Sequence, residues 1–538
     1  MSILSNFRFK YLCAFFIGAA VGPVCFAAPT LKAKVYPIYE VPDNDDSTVM
    51  SKIEVDFKDL NASYQYRSLN NSEWKSQEMD FGREEGFYGV HLGGRYVNVT
   101  IHPEAFNNLS FSFDKLEAPF RHYYGFYPYW GKPILDSDLT SVSSDRAYMS
   151  YDGADIHSFT DYINSGFDEI QVYYAVGRFM ENLTKMGLGR NAGEIKQFTA
   201  YLFDPSISMR NNAFYLAGSI NLTTYSKGQP NKARDNMTIW HELGHGIHSR
   251  LMPIHENREL GEGIGDFLAK LVEYVQIHDG LVSQDYPGRE NARIYNDMLF
   301  NTSNEFHDGG ESYGGHLSDI LEQSLAAESS IGMKREVLTK VGDLVLDALR
   351  FCGNQKAKTA EKWLSCLLDS DAKSSYATPA FGRADGEFRD VILETAKARN
   401  LYQDGGSNQF LLTYDGKKVG NGEPGDRYNP ILVTDSQNTY RVAVNIKSGT
   451  KSAWQYPMKL EVTFDGGPLQ GSANWKDESQ GYVYTITNDV SGAVDLTAFN
   501  SCSAKNEEYG CSDYAYFKLI DSRGKVVAKN RFYVKIKQ

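Results

Sequence analysis

The chain has 538 residues, of which 42% are apolar and 23% are charged, and its net charge is −13. This length is typical of two to four domains with a sizeable core. The acidic residues are spread along the chain. The net negative charge argues against a nucleic-acid binder, because such proteins need cationic side chains to neutralise phosphates.

The first residues, MSILSNFRFKYLCAFFIGAAVGPVCFAAPT, predict a secretory signal. Arg8 and Lys10 precede an apolar stretch over 11–28, and small residues at Cys25 and Ala27 suit cleavage after Ala27. A Gly-Pro pair interrupts the apolar run, which disfavours a membrane anchor. We therefore expect a signal peptide at 1–27, a secreted or periplasmic mature chain, and no membrane span.

Alternating segments such as SKIEVDF and YGVHLGGRYVNVTI predict an N-terminal antiparallel β-domain over 28–145. A second domain is predicted over 146–400, where strand-like QFTAYLFD and NNAFYLAGSINLTTY lie among amphipathic helices. Turn-rich YQDGGSNQF and VGNGEPGDRYNP then mark a boundary. The last stretch alternates again and predicts a C-terminal β-sandwich over 401–538, with DSRGK forming a hairpin turn.

Four cysteines remain after the signal: Cys352, Cys366, Cys502 and Cys511. An even number in an exported chain predicts disulfides. Three pairings are possible, and Cys352–Cys366 with Cys502–Cys511 is the simplest. Thiolate metal ligands are disfavoured because no C-x-x-C occurs.

The segment IWHELGHGIHSRLM, at 239–252, contains two histidines four residues apart. His241 and His245 would therefore project from one face of a helix and could reach one zinc ion at about 2.0–2.1 Å. Glu242 would lie to one side, where it could hold a water beside the metal. Seven of the 11 histidines fall between 241 and 316, which favours a site over a solvated helix face.

A carboxylate suited to be the third ligand follows in ELGEGIGDFLAKLVEYV, at 259–275. Glu262 comes 17 residues after His245, which is enough for a second helix to pass beside the first. Asp266 lies one turn further on the same face, where it could orient a histidine ring. His248 is a poorer candidate ligand.

HELGHGIHSRL followed by GEGIGDF resembles the zinc peptidases of the thermolysin and fungalysin type, or gluzincins. VYYAVGRFMENLTKMG and NNAFYLAGSINLTTYSKG resemble their preceding helix and substrate-binding edge strand, so that the resemblance spans roughly residues 168–330. It implies one zinc ion held by His241, His245 and Glu262. It also implies that Glu242 is the general base and that Asp266 supports a ligand.

The same resemblance implies that Asn212 and Ala213 on the edge strand hold the substrate backbone. It further implies a histidine that stabilises the oxyanion, preceding a late helix. In FHDGGESYGGHLSDILEQSL we favour His316, which follows a Gly-Gly pair at the expected start of that helix, over His307 and Tyr313.

Three features depart from the family pattern. The tyrosine donor expected between the second histidine and the glutamate ligand is missing, and His255 is the nearest polar residue. Gly261 stands where an asparagine often precedes the ligand. The region before the peptidase segment is short for a long pro-region, which leaves the activation route open.

The sequence thus predicts a multidomain α+β protein, with a thermolysin-like peptidase domain flanked by two β-domains. It predicts a secreted zinc endopeptidase that acts on protein or peptide substrates through a zinc-activated water. A zinc aminopeptidase is an alternative, although AGSIN lacks an acidic residue to bind a free N-terminus. A secreted β-domain binding protein with a non-catalytic metal site is another, against which Glu242 argues.

Several properties stay open at this stage. Calcium is possible in the acidic DNDD loop, but no EF-hand spacing supports it. The C-terminal domain has no assigned role, and binding of a substrate or a surface is one possibility.

Overall fold

A computed structural model describes most of the chain from residue 31 to residue 536. The described residues are 31–39, 53–57, 61–67, 74–78, 87–101, 167–204, 212–223, 232–252, 257–282, 297–300, 302–303, 305–355, 359–373, 384–401, 409–419, 431–433, 439–447, 454–464, 469–471, 476–478, 481–498 and 511–536. The predicted signal peptide, His255, Cys502 and the DNDD loop lie outside these ranges.

Nine strands belong to the first half of the chain. They are β1 (Leu31–Val35), β2 (Ile53–Phe57), β3 (Asn61–Arg67), β4 (Trp74–Glu78), β5 (Phe87–Gly93), β6 (Val97–Ile101), β7 (Phe198–Asp204), β8 (Ala213–Leu216) and β9 (Ser219–Thr223). β1 and β2 form an antiparallel pair. The other seven form one sheet in the order β4-β3-β5-β6-β7-β9-β8, in which β7 pairs in parallel with both β6 and β9.

Seven α-helices occur in the described residues. They are α1 (Phe167–Lys185), α2 (Asn236–Leu251), α3 (Arg258–His278), α4 (Phe306–Ala326), α5 (Ile331–Gln355), α6 (Ala360–Ala372) and α7 (Arg389–Ala398). A short 3₁₀ turn at Lys232–Arg234 precedes α2.

The boundary predicted after residue 145 does not separate two folding units in the structure. Strands β3 to β6 belong to the same sheet as β7 to β9, with Val99 opposite Ala200. Val35 and Ile38 are fully buried in the core that also contains α1 to α6. A separate N-terminal β-domain over 28–145 is therefore not what the structure shows. Alternation predicted the strands but not their partners, because strand pairing is non-local.

Helix α2 is anchored on several sides. The side chain of Asp235 caps its first turn by accepting from the N–H of Thr238 at 3.3 Å. Asn236 Nδ2 donates to the backbone oxygens of Tyr36 and Pro37, each at 3.0 Å. These contacts fix the start of the helix that carries the histidine pair.

The helix is also tied to α1, whose residues line the same core. The fully buried Trp240 donates its ring N–H to Ala175 O at 2.9 Å. A buried ion pair joins Arg234 Nε to Asp168 Oδ1 at 2.7 Å, where α1 begins. Because a buried charge left without its partner costs several kcal/mol, this pair constrains how the two helices meet.

The last eleven strands form two sheets. The strands are β10 (Gln409–Tyr414), β11 (Lys417–Lys418), β12 (Ile431–Val433), β13 (Thr439–Lys447), β14 (Met458–Phe464), β15 (Leu469–Gly471), β16 (Lys476–Glu478), β17 (Gly481–Ile486), β18 (Val490–Ala498), β19 (Cys511–Ile520) and β20 (Val526–Ile536). One sheet has the order β11-β10-β13-β18-β15, and the other has the order β12-β20-β19-β14-β17-β16.

Buried side chains from both sheets form one hydrophobic cluster, as in a β-sandwich. The predicted hairpin turn at DSRGK is confirmed, since Asp521 N donates to Lys525 O at 2.9 Å between β19 and β20. The structure combines helices with several antiparallel sheets, which is consistent with the predicted multidomain α+β class. No helix among the described residues has the length and apolar character needed to cross a membrane.

The predicted Cys352–Cys366 disulfide is present and joins α5 to α6 across a sequence separation of 14 residues. Closing a loop of this size is worth roughly 3 kcal/mol in the chain-entropy model. The double variant Cys352→Ala, Cys366→Ala should therefore lose about 3 kcal/mol in its free energy of unfolding, measured by urea denaturation. A variant as stable as the wild type would show that the crosslink contributes nothing to folding.

Candidate metal centre

The two histidines of α2 and the glutamate of α3 converge on one point. His241 Nε2 lies 3.1 Å from His245 Nε2 and 3.4 Å from Glu262 Oε2. His245 Nε2 lies 3.6 Å from Glu262 Oε1. These three residues form the group that the described part of the chain offers for a metal ion.

The donor set fits a tetrahedral metal. Ligand atoms held about 2.0–2.1 Å from a zinc ion lie about 3.3–3.4 Å from one another, and the distances between the donor atoms of His241, His245 and Glu262 fall around that value. Two imidazole nitrogens and one carboxylate oxygen form a ligand set typical of catalytic zinc, which keeps a fourth position for water or substrate.

The convergence depends on a close approach between α2 and α3. A Cβ on Gly244 would lie 2.6 Å from the Cα of Gly265, so each helix presents a glycine where the two backbones cross. A Cβ on Gly265 would lie 2.9 Å from His241 Nδ1. Glycine at these two positions therefore lets Glu262, one turn before Gly265, reach the histidine pair.

Asp266 orients the first histidine. The Nδ1–H of His241 donates to Asp266 Oδ1 at 2.8 Å, which leaves Nε2 directed at the other two donors. Burial disfavours the charged ring, but Asp266, Glu262 and Glu242 outweigh it and raise the pKa of His241 to about 10. The same carboxylates that stabilise a protonated histidine ring would also stabilise a divalent cation bound between the rings.

The same electrostatics act on the glutamate. Burial alone would raise the pKa of Glu262, but the hydrogen bond from His241 and the nearby charges of His241, His245 and His307 hold it well below its ordinary value. Glu262 is therefore an ionised carboxylate, the form that binds a metal.

Glu242 follows His241 on α2 and is almost buried, with 7% of its surface exposed. Its charge is among those that raise the pKa of His241, so it lies within electrostatic reach of the donor group. It is not one of the three converging donors. His248, the poorer candidate ligand, is also outside that group and lies against α3 beside the position of Gly261.

The position of His316 in the structure does not suit the predicted role of stabilising the oxyanion. The Gly-Gly pair before it lies within α4, which begins at Phe306, so His316 is in mid-helix and not at a helix start. Its ring is fully buried, and its Nε2 lies 3.3 Å from Ile392 O. Burial lowers the pKa of His316 to about 4. A ring enclosed in this way has no surface for a substrate to contact.

His307, which the sequence offered as a competitor of His316, is the histidine that lies beside the donor group. Its Nε2 lies 3.7 Å from Glu262 Oε1, and its side chain is 46% exposed. Its Nδ1 lies 2.7 Å from Glu305 Oε1. In the sequence, the feature that could have indicated His307 is Glu305, an acidic residue two positions earlier that caps the helix and contacts the histidine ring. Tyr313, the other competitor, is buried and accepts a hydrogen bond from Asn257 Nδ2 at 3.0 Å.

The predicted substrate-binding strand lies at an edge. β8 is the last strand in its sheet and pairs antiparallel with β9, with Ala213 opposite Leu222. Asn212, just before it, is exposed, whereas Ala213 is buried. A Cβ on Gly246, directly after His245, would lie 3.1 Å from the ring of Tyr215, so α2 and β8 are in contact close to the donor group.

Comparisons with known proteins leave the family open. No protein-family model and no curated protein matches the chain. Among solved structures the chain is similar to the M60 catalytic domain with the CBM51-1 and CBM51-2 domains from Clostridium perfringens ZmpB. The identity is 8%, the match covers 94% of this chain and 81% of that chain, and the TM-score is 0.23. A likeness this low establishes neither a shared fold nor a shared activity.

The glycine contact between α2 and α3 generates a prediction about metal affinity. In Gly265→Ala the new methyl group meets the His241 ring, which must shift away from its ligand position. We expect zinc affinity, measured by competition with a chelator, to fall at least about 10-fold, as it does when support of a ligand is lost. Gly177→Ala in α1 is the matched control, because nothing lies within 4 Å of the added atom. Equal affinities in the two variants would contradict the packing argument.

Proposed function

We propose that this chain is a zinc-dependent endopeptidase of the gluzincin type, as the resemblance to thermolysin and fungalysin implies. The observation that carries the proposal is the convergence of His241, His245 and Glu262 with Glu242 beside them. A structural metal site has no need of the additional carboxylate. A hydrolytic site requires one, because a base must take a proton from the attacking water.

A zinc ion held by the three donors would polarise both a water molecule and a substrate carbonyl. In the proposed reaction Glu242 accepts the proton from the attacking water on its carboxylate. It then delivers that proton to the nitrogen of the leaving amine. Asp266 keeps its hydrogen bond to His241 Nδ1 throughout, which holds the ring in the orientation needed for binding.

The substrate backbone is proposed to bind along β8. An edge strand offers unpaired N–H and C=O groups to an extended peptide, which adds as a further strand. Ala213 begins this strand, and Asn212 precedes it and offers an exposed side chain, since its backbone N–H and C=O are bonded to Thr223. The contact between Tyr215 of β8 and α2 supports this proposal. Such pairing holds both sides of a peptide bond within a longer chain, which favours endopeptidase action.

His307 is proposed as the residue that stabilises the oxyanion, in place of His316. With Nδ1 engaged by Glu305, its Nε2 faces the side of Glu262, and its exposed surface leaves room for a substrate. A proton on Nε2 could be donated to the carbonyl oxygen as negative charge develops there.

Export is part of the proposal. The signal-like N-terminus predicts it, and the Cys352–Cys366 disulfide suits an oxidising compartment. The proposed substrates are proteins or peptides in the periplasm or outside the cell.

The function is tested first with Glu242→Gln. The amide keeps the shape of the side chain but cannot take the proton from water. We expect zinc to stay bound while peptide hydrolysis falls by at least about 10²-fold. Near-normal turnover in this variant would remove Glu242 from its role. N-acetylated and free peptides are assayed in parallel, and cleavage confined to peptides with a free N-terminus would indicate an aminopeptidase instead.

The histidine assignment is tested by comparing two alanine variants. His307→Ala should lower kcat by about 10²–10³-fold with little change in KM or zinc content, because the lost donor acts in the transition state. His316→Ala should lower thermal stability, since it leaves a cavity in the core, while the folded fraction retains its kcat. The opposite pattern of kcat values would return the role to His316.

A further inference from the structure

We propose that Arg531, on the C-terminal β-sandwich, positions His307 of the candidate active site by fixing the carboxylate of Glu305. This inference rests on the function proposed above, and it assigns the C-terminal region a part in catalysis. Arg531 would act through Glu305 and would not itself contact the substrate.

The last strand of the sandwich presents two cations to the first turns of α4. Asn530 of β20 is buried, whereas its neighbours in sequence on either side point towards the helix. Lys529 Nζ lies 2.7 Å from Glu311 Oε1, and Arg531 Nη2 lies 2.9 Å from Glu305 Oε1. The alternation of a strand places both cations on the same face. Glu305 caps the start of α4, and Glu311 lies six residues further along the chain.

Glu305 has both of its carboxylate oxygens engaged. Oε2 caps α4 by accepting from the backbone N–H of His307 at 2.9 Å and of Asp308 at 3.0 Å. Oε1 accepts from His307 Nδ1 at 2.7 Å and forms an ion pair with Arg531 Nη2 at 2.9 Å. The helix thus holds one oxygen, and the guanidinium of Arg531 helps to hold the other, which is the oxygen that contacts the histidine ring.

The orientation of the His307 ring depends on that second oxygen. The ring is nearly half exposed, and its neighbour Phe306 lies against one face at a centroid distance of 3.9 Å. Contact with Glu305 Oε1 sets the direction in which Nε2 points. A displacement of about 1 Å at a catalytic group can cost as much as about 10²-fold in rate, so the anchoring of Oε1 has a kinetic consequence.

Arg531 would act mainly through geometry. Its side chain is 32% exposed, so solvent screens its charge and an electrostatic effect at His307 is small. The Glu305 side chain is only 4% exposed, so its carboxylate has few alternative partners in solvent. A guanidinium carries its donors in a fixed planar arrangement, which suits it to hold such a group in one direction.

The test compares Arg531→Ala with Arg531→Lys and with Lys525→Ala in the full-length zinc-loaded protein. Lys525 makes an ion pair with Asp297 at 3.1 Å, so it too links the sandwich to the preceding domain, but it does not contact Glu305. Steady-state kinetics on a peptide substrate, zinc content and thermal unfolding are measured for each variant. Hydrogen exchange of the peptide covering 305–310 is measured in the metal-free protein.

We expect Arg531→Ala to lower kcat about 10-fold, at the low end for loss of a supporting partner, with KM and zinc content within about twofold of wild type. Exchange over 305–310 should be faster in Arg531→Ala than in Lys525→Ala, and Arg531→Lys should restore part of the activity. The inference would be overturned if the two variants Arg531→Ala and Lys525→Ala had the same kcat and the same rate of hydrogen exchange over 305–310. Wild-type protein that hydrolyses no peptide would contradict the proposed function, and the exchange comparison would then decide the positioning role alone.

Discussion

The close packing of α3 between α2 and α4 is the constraint on which the candidate site depends. Gly244 and Gly265 allow the backbones of α2 and α3 to cross in near contact. Helix α4 approaches α3 as closely, since a Cβ on Gly310 would lie 2.5 Å from the Cβ of Glu262. Glu262 therefore projects from a helix that two neighbouring helices hold in place. A bulkier residue at these crossings would separate the helices, and donor atoms at 3.1–3.6 Å from one another could no longer converge.

This packing brings several ionisable side chains together in a buried volume. Their mutual contacts determine whether positive or negative charge is stable there. Glu262, Asp266 and Glu242 lie near a pair of histidines, so the centre favours positive charge and the pKa of His241 is raised. A second carboxylate–histidine pair, Glu305 with His307, lies beside these residues, and its histidine is partly exposed to solvent. The site thus combines three converging, largely buried donors that could hold a metal ion with a partly exposed histidine beside them.

Local spacing was sufficient to predict some of this arrangement, and non-local packing explains the rest. His241 and His245 share a helix face because they are four residues apart, and a nearby second helix was enough to suggest Glu262. His316 was misplaced because its preceding glycines were interpreted as a turn, whereas they lie inside α4, where a Cβ on Gly315 would meet Arg399 at 2.3 Å. The N-terminal boundary was wrong for a related reason, since alternation does not identify the partner of a strand.

Whether these three side chains hold one catalytic zinc ion is tested most directly by anomalous X-ray diffraction at the zinc edge from crystals of the metal-loaded protein. We expect a single strong peak within about 2.0–2.2 Å of His241 Nε2, His245 Nε2 and a carboxylate oxygen of Glu262. Removal of the glutamate carboxylate should weaken the peak. A protein loaded with zinc that shows no peak between these residues, or that binds the metal at a different set of ligands, would contradict the account.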